Sequence, residues 1–275
     1  FHTISCLKAI SIFKMKKIIS VFILLFSFSA FAQQEKVEIS YTTRIILPDD
    51  FTFQPPGGGN GRIMPKEMQE QFKKNIQEPQ EAKLTILGDE SLYKMVEKIS
   101  NDQSQGIRGP RGGGMRMMSM NGDNIYKNST NHLLLKEQNM MGKSYVVKDS
   151  LQNFDWKLTR ETKTILGNEA KKATAIIDSV QTTVWYIPTL KYKTGPENYW
   201  GLPGLIAEVQ TEINRGMFKG SKIISLTDIK TSTNTKPIEK PKDKGAISQT
   251  EFDKLMQEQR SRFEEMRNSG VNKRD

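Results

Sequence analysis

Residues 36–46, KVEISYTTRII, alternate with a period of two. Val37, Ile39, Tyr41, Thr43 and Ile45 share one phase, and Glu38, Ser40, Thr42 and Arg44 the other. An extended chain turns successive side chains to opposite faces, so this pattern fits a strand with one buried face and spreads its apolar residues around a helix. FDWKLTRETKTIL, residues 154–166, repeats the pattern, with Phe154, Trp156 and Leu158 expected to face inward. Further runs follow at 82–87, 91–98, 131–138, 143–149, 171–177, 182–187, 205–213 and 221–229. Between them stand turn residues such as Gly88-Asp89, Gly142, Gly167-Asn168, Asp178-Ser179 and Arg215-Gly216. Many short strands with turn residues and no interleaved helices imply a mainly β fold, an antiparallel meander. A sheet of that size has to curl or close, as a half-barrel, an open barrel or a sandwich.

Three stretches depart from the pattern: two insertions within a β domain read as residues 33–235, and a segment that follows it. Residues 47–81 pass from a Pro/Gly-rich insertion into a short amphipathic helix whose apolar points are Met68, Phe72 and Ile76. Residues 101–122 are a Gly-rich loop. Residues 236–275 begin as a Lys/Pro linker and continue as a helix. Its start is marked by the capping-box pair Ser248 and Glu251, and its face by Phe252, Met256, Gln259, Phe263 and Met266. One or two peripheral helices are therefore expected.

The beginning of the chain reads as an export signal. Met15 is followed by Lys16 and Lys17, an apolar run over 18–28, and Ala30-Phe31-Ala32, a small-x-small cleavage site. That apolar run is shorter than the roughly 20 residues a spanning helix needs. Cleavage is expected near Ala32/Gln33, with residues 1–14 as upstream sequence, and the product is placed in the periplasm or outside the cell. The formal charge is +10, and the four lysines of residues 1–32 leave about +6 for the rest. Outside the cytoplasm that excess suits anionic surfaces or solubility better than nucleic acid.

Residue inventory narrows the chemistry. Cys6 precedes the expected cleavage site, so no disulfide, thiol nucleophile or thiolate metal site is foreseen. His132 is the one histidine after residue 32 and lies in a strand-like run, which leaves no triad or His-rich zinc site. No signature pairs two of the 31 carboxylates. A hydrolase working through paired carboxylates is the last-ranked alternative. Met115, Met117, Met118 and Met120 crowd one Gly-rich loop, and thioethers select soft ions such as Cu(I), so copper binding is a second alternative.

The most distinctive stretch is ENYWGLPGLIAEV, residues 197–209. In Gly201-Leu202-Pro203-Gly204-Leu205-Ile206, Pro203 offers the fixed φ of the second position of a type II turn. Gly204 offers the positive φ of the third. The connection before it carries Tyr192, Tyr199 and Trp200, and follows Trp185 and Tyr186. Two readings stand side by side: a turn with a hydrophobic plug, or an aromatic-lined mouth of a curled sheet holding a small apolar ligand.

These six residues, with TTVWYIP, Gly195-Pro196, GDESLY and the signal segment, resemble the GLPGLI family, exported proteins of Bacteroidota-type bacteria. The likeness runs over roughly residues 33–230. Members of that family carry an aromatic residue and a cysteine shortly after the glycine of ILG, where this chain has Asn168 and Ala170. The family has no settled activity. The resemblance implies an exported β protein with neighbours among outer-membrane transport systems. The expectation is a non-enzymatic binding or accessory protein of the cell envelope, without a cofactor, that holds an apolar ligand or docks on an outer-membrane transport protein.

Overall fold

The computed structural model describes residues 35–52, 65–96, 124–140, 142–215, 218–232 and 236–271. The export segment and the four loop methionines lie outside them. Eleven strands form one antiparallel sheet: β1 (Lys36–Ile46), β2 (Gln80–Leu87), β3 (Glu90–Met95), β4 (Asn124–Asn128), β5 (Leu133–Met140), β6 (Lys143–Ser150), β7 (Lys157–Ile165), β8 (Asn168–Ile177), β9 (Val180–Ile187), β10 (Leu205–Arg215) and β11 (Phe218–Ser232). Their order across the sheet is 6-5-4-3-2-1-11-10-9-8-7. Two meanders, β1–β6 and β7–β11, thus meet where the first strand pairs with the last, Lys36 opposite Ser232 and Ile46 opposite Ser221.

This order forces curvature. β6 and β7 stand at opposite margins, yet only residues 151–156 connect them. An extended chain from Ser150 to Lys157 reaches at most about 25 Å. A flat sheet of eleven strands at ~4.8 Å spacing would be about 48 Å wide. The sheet is therefore bent into an open trough, and the mainly β meander expected from alternation is the fold observed.

The main core lies inside the bend. Val37, Ile39 and Tyr41 of β1 meet Leu84 and Ile86 of β2, Val209 of β10, Ile224 of β11 and Val184 of β9, all essentially inaccessible. Among the described residues two helices attach to the sheet. α1 (Lys66–Gln77) buries Phe72 and Ile76 against Leu47, whereas Met68 stays 38% exposed. α2 (Gln249–Val271) starts at the expected capping box, where the Ser248 amide donates to the Glu251 carboxylate (2.8 Å) and the Glu251 amide to Ser248 Oγ (3.2 Å). Phe252 then packs on Met140 and Val147 of β5 and β6. The segment before α2 also covers the β6 margin, since the Lys148 amide donates to Ile247 O and the Ile247 amide to Val146 O.

Some expectations need correcting. β4 was not among the foreseen runs. Leu158 is 58% exposed rather than inward, because β7 is a sheet margin with little packed beside it. Phe154 and Trp156 do pack on the core, but from the connection that precedes β7. His132 is not in a strand. It lies exposed in the β4–β5 turn with a positive φ of 49°.

Candidate functional site

The long connection from β9 to β10, residues 188–204, folds down into the trough and is knotted to itself by backbone bonds. The Leu205 amide donates to Leu190 O (2.9 Å), that of Ile206 to Thr194 O (3.1 Å), and that of Gly201 to Lys193 O (3.2 Å). Leu202, Leu205 and Ile206 are buried to 1% exposure or less, and the Tyr41 phenol from the centre of the sheet donates to Ile206 O at 2.6 Å. Gly201–Ile206 is thus a corner that plugs the trough.

The corner is not the foreseen type II turn. The Gly204 amide donates to Leu202 O (2.8 Å), which closes a three-residue turn about Pro203, and the positive φ falls on Gly201 (90°) rather than on Gly204. Gly204 is needed for a different reason. A Cβ there would stand 2.3 Å from Ile187 O and 2.7 Å from Ile187 C, so only hydrogen lets the corner lie against the end of β9.

One side of the plug borders a cleft of about 470 Å³. Its walls are the β2–β3 turn (Gly88, Asp89, Glu90, Ser91), β4 with its following turn (Lys127, Ser129, Thr130, His132) and the corner (Lys191, Tyr192, Lys193, Thr194, Trp200). Short-range bonds set each wall. The Ser129 amide donates to Asp89 O (3.0 Å), Thr130 Oγ1 donates to the Asp89 carboxylate, and the Asn131 amide to Asn128 Oδ1 (2.9 Å). The Tyr126 phenol donates to Glu90 (2.7 Å); burial and that carboxylate push it up to about 12. Ser91 and Thr194 hydroxyls, 3.1 Å apart, tie sheet to corner. The Trp200 indole N–H donates to Gln152 O (2.7 Å) and its carbonyl accepts from the Trp156 indole (3.0 Å), while the His132 ring meets it edge-on at 5.6 Å.

Beneath this cleft sits Lys127, 2% exposed. Its ammonium donates to three corner carbonyls: Gly195 O at 2.6 Å, Glu197 O at 2.8 Å and Tyr199 O at 3.1 Å. The Glu197 carboxylate turns instead to Lys222 of β11, at 2.7 and 2.9 Å. Burial pushes Lys127 down to about 7, opposed by the nearby charge of Glu197.

Of the aromatic residues expected to line a mouth, only Tyr192 and Trp200 reach the cleft. Tyr186 and Tyr199 are buried in the core, and Trp185, one step along β9, takes the opposite face, with Lys163 Nζ 4.5 Å from its ring centroid. Met115, Met117, Met118 and Met120 lie outside the described residues. Among the described residues no group of three or more His, Cys, Asp or Glu could hold a metal ion. No described helix is long and apolar enough to cross a membrane. Lys127, Ser91 and Thr194 went unnoticed in the sequence. The available signal was that Lys127 shares the buried phase of Ile125 in β4.

The fold and this site define a class: an open antiparallel trough, plugged by its own corner, with a polar cleft faced by aromatic rings. Residues 118–250 match the family described as "N-glycanase peptide, N-terminal domain", just under half of the chain. Two solved structures of PNGF-II are similar in part. The one in space group C2 is 19% identical with a TM-score of 0.42 over 78% of this chain, and the one in P21 is 20% identical with a TM-score of 0.42 over 76%. The chain spans 30% of the length of each. No curated protein sequence matches it.

The family match overturns the resemblance to the GLPGLI family, because it takes in the corner and the TTVWYIP run that carried that resemblance. The expectation of a non-enzymatic envelope accessory protein of unknown function falls with it. The alternatives gain nothing in its place: the thioethers are outside the described residues, and the cleft carboxylates Asp89 and Glu90 are each held by a hydroxyl.

Proposed function

We propose that this chain serves N-glycanase-type chemistry, the removal of sugar chains from glycosylated peptide, and that its cleft holds part of the glycan. The observation that carries the reading is the family match over 118–250, which includes two of the three cleft walls, β4 with its turn and the corner. The cleft's chemistry supports it. A sugar presents an apolar C–H face and a rim of hydroxyls. Trp200 and Tyr192 offer apolar rings with polar tips, and Asp89, Ser91, Thr194 and Lys193 stand around them as hydrogen-bonding partners. The volume falls within the ~300–1,000 Å³ usual for small-ligand sites. Export, read from residues 15–32, belongs to the same proposal, since glycoprotein substrates of this kind lie outside the cytoplasm.

The test titrates the full chain with an N-glycopeptide and, separately, with the same peptide lacking sugar, following binding by calorimetry and glycan release by mass spectrometry. Binding that requires the sugar and is lost in Trp200→Ala supports the reading. Equal affinity for both peptides, or no binding of either, overturns it.

A further inference from the structure

The feature that the glycan cleft does not by itself explain is the lysine under it. Lys127 has three N–H donors, and three carbonyls of one loop, those of residues 195, 197 and 199, receive them. Alternate residues turning their oxygens to a single point means that the loop is wrapped around the nitrogen. An apolar side chain at 127 would deprive two buried carbonyls and a part-buried one of this donor, a large penalty for any one segment. The same segment carries Thr194 at one end and Trp200 at the other, both walls of the cleft, and the two are bridged to each other.

We propose that Lys127 is the positioning residue of the cleft: it folds the 194–200 loop around its side-chain nitrogen and fixes where Trp200 stands. The part concerning the cleft rests on the glycan reading above; the fastening of the loop does not. Several groups face the nitrogen or border it. Glu197 of the corner is the nearby negative charge, and Lys222 of β11 is bonded to its carboxylate. Asp89 and Glu90 approach from the β2–β3 turn, His132 from the β4–β5 turn, Lys191 and Lys193 from the corner, and neutral Ser91 stands opposite on β3.

Hydrogen exchange of the full chain reads the loop whether or not any glycan binds. In wild-type protein the bonded amides of Gly201, Leu205 and Ile206 are expected to share one opening free energy, as a loop held at a single point requires. In Lys127→Met their protection falls at least tenfold while β1 and β2 keep theirs, and affinity for the N-glycopeptide drops at least tenfold; Lys127→Arg, which keeps N–H donors, restores both in part. Amides that open independently in wild-type protein overturn the proposal without need of a variant, as does Lys127→Met with unchanged loop protection. Wild-type protein that fails to bind glycopeptide yet opens this loop as one unit overturns the glycan reading and leaves the fastening in place.

Discussion

Gly204→Ala isolates the contact on which the corner depends. The added methyl would lie 2.3 Å from Ile187 O, 2.7 Å from Ile187 C and 2.9 Å from Pro188 Cα. All three are backbone atoms, so no side chain can swing aside, and either the end of β9 or the corner must move. Leu205 pairs with Ile187 at that point, so movement also strains the start of the β9–β10 ladder. Forced overpacking costs about 1–3 kcal/mol when the surroundings can adjust. With backbone on every side the upper end applies, about 3 kcal/mol, which lowers Tm by roughly 6–12 °C for a domain of this size. Gly201→Ala is the control. It carries the positive φ of 90°, but a Cβ there meets only Trp156 Nε1 at 3.9 Å. Its cost is conformational, about 1–2 kcal/mol. Thermal unfolding followed by circular dichroism, with urea melts to exclude a change of m-value, ranks the two. If Gly201→Ala proves equally or more destabilising, the close-approach argument is wrong and Gly204 works as a turn glycine after all.

Stability should peak in the alkaline range. Lys127, lowered by burial, imposes a cost that is complete below about 7 and fades towards 10.5, so unfolding free energy rises with pH there by up to about 1.4 kcal/mol per unit. Tyr41, Tyr93, Tyr126 and Tyr199 are raised, chiefly by burial. Their contribution holds below the unfolded value near 10 and is lost above it; urea midpoints from pH 6 to 11 that fall steadily between 7 and 9.5 would contradict this. Tyr41→Phe leaves Ile206 O without its buried donor and should cost about 1–3 kcal/mol in urea melts. Ser248→Ala removes the cap of α2 and should cost about 1 kcal/mol locally, seen as faster exchange at the start of α2 with the sheet unchanged.

What was legible in the sequence is what local periodicity encodes. β1 matches its alternating run from Lys36 to Ile46, and the capping box of α2 is where Ser248 and Glu251 put it. What was missed depends on partners distant in the chain. β4 is five residues long and adjoins the Gly-rich stretch, so its period was too brief to notice, and its Lys127 reads as a surface residue until residues 195–199 are laid over it. Pro203-Gly204 has the composition of a type II turn, but approach to Ile187, not a local φ preference, decides the conformation. The exposure of Leu158 follows from strand order, which alternation cannot reveal. The resemblance to the GLPGLI family rests on short runs, the corner together with TTVWYIP, Gly195-Pro196 and GDESLY, whereas the family match extends continuously over residues 118–250.

The pairing of β1 with β11 has a consequence for how the chain is made. Lys36 emerges from the ribosome long before Ser232, its partner, has been synthesised. Hairpins within each meander can form as they appear, but the seam joining them waits until β11 has been synthesised. Contacts so distant in sequence fold slowly, and meanwhile β1 offers an unmatched ladder to any other nascent chain nearby. Slow acquisition of the native state is what this strand order entails.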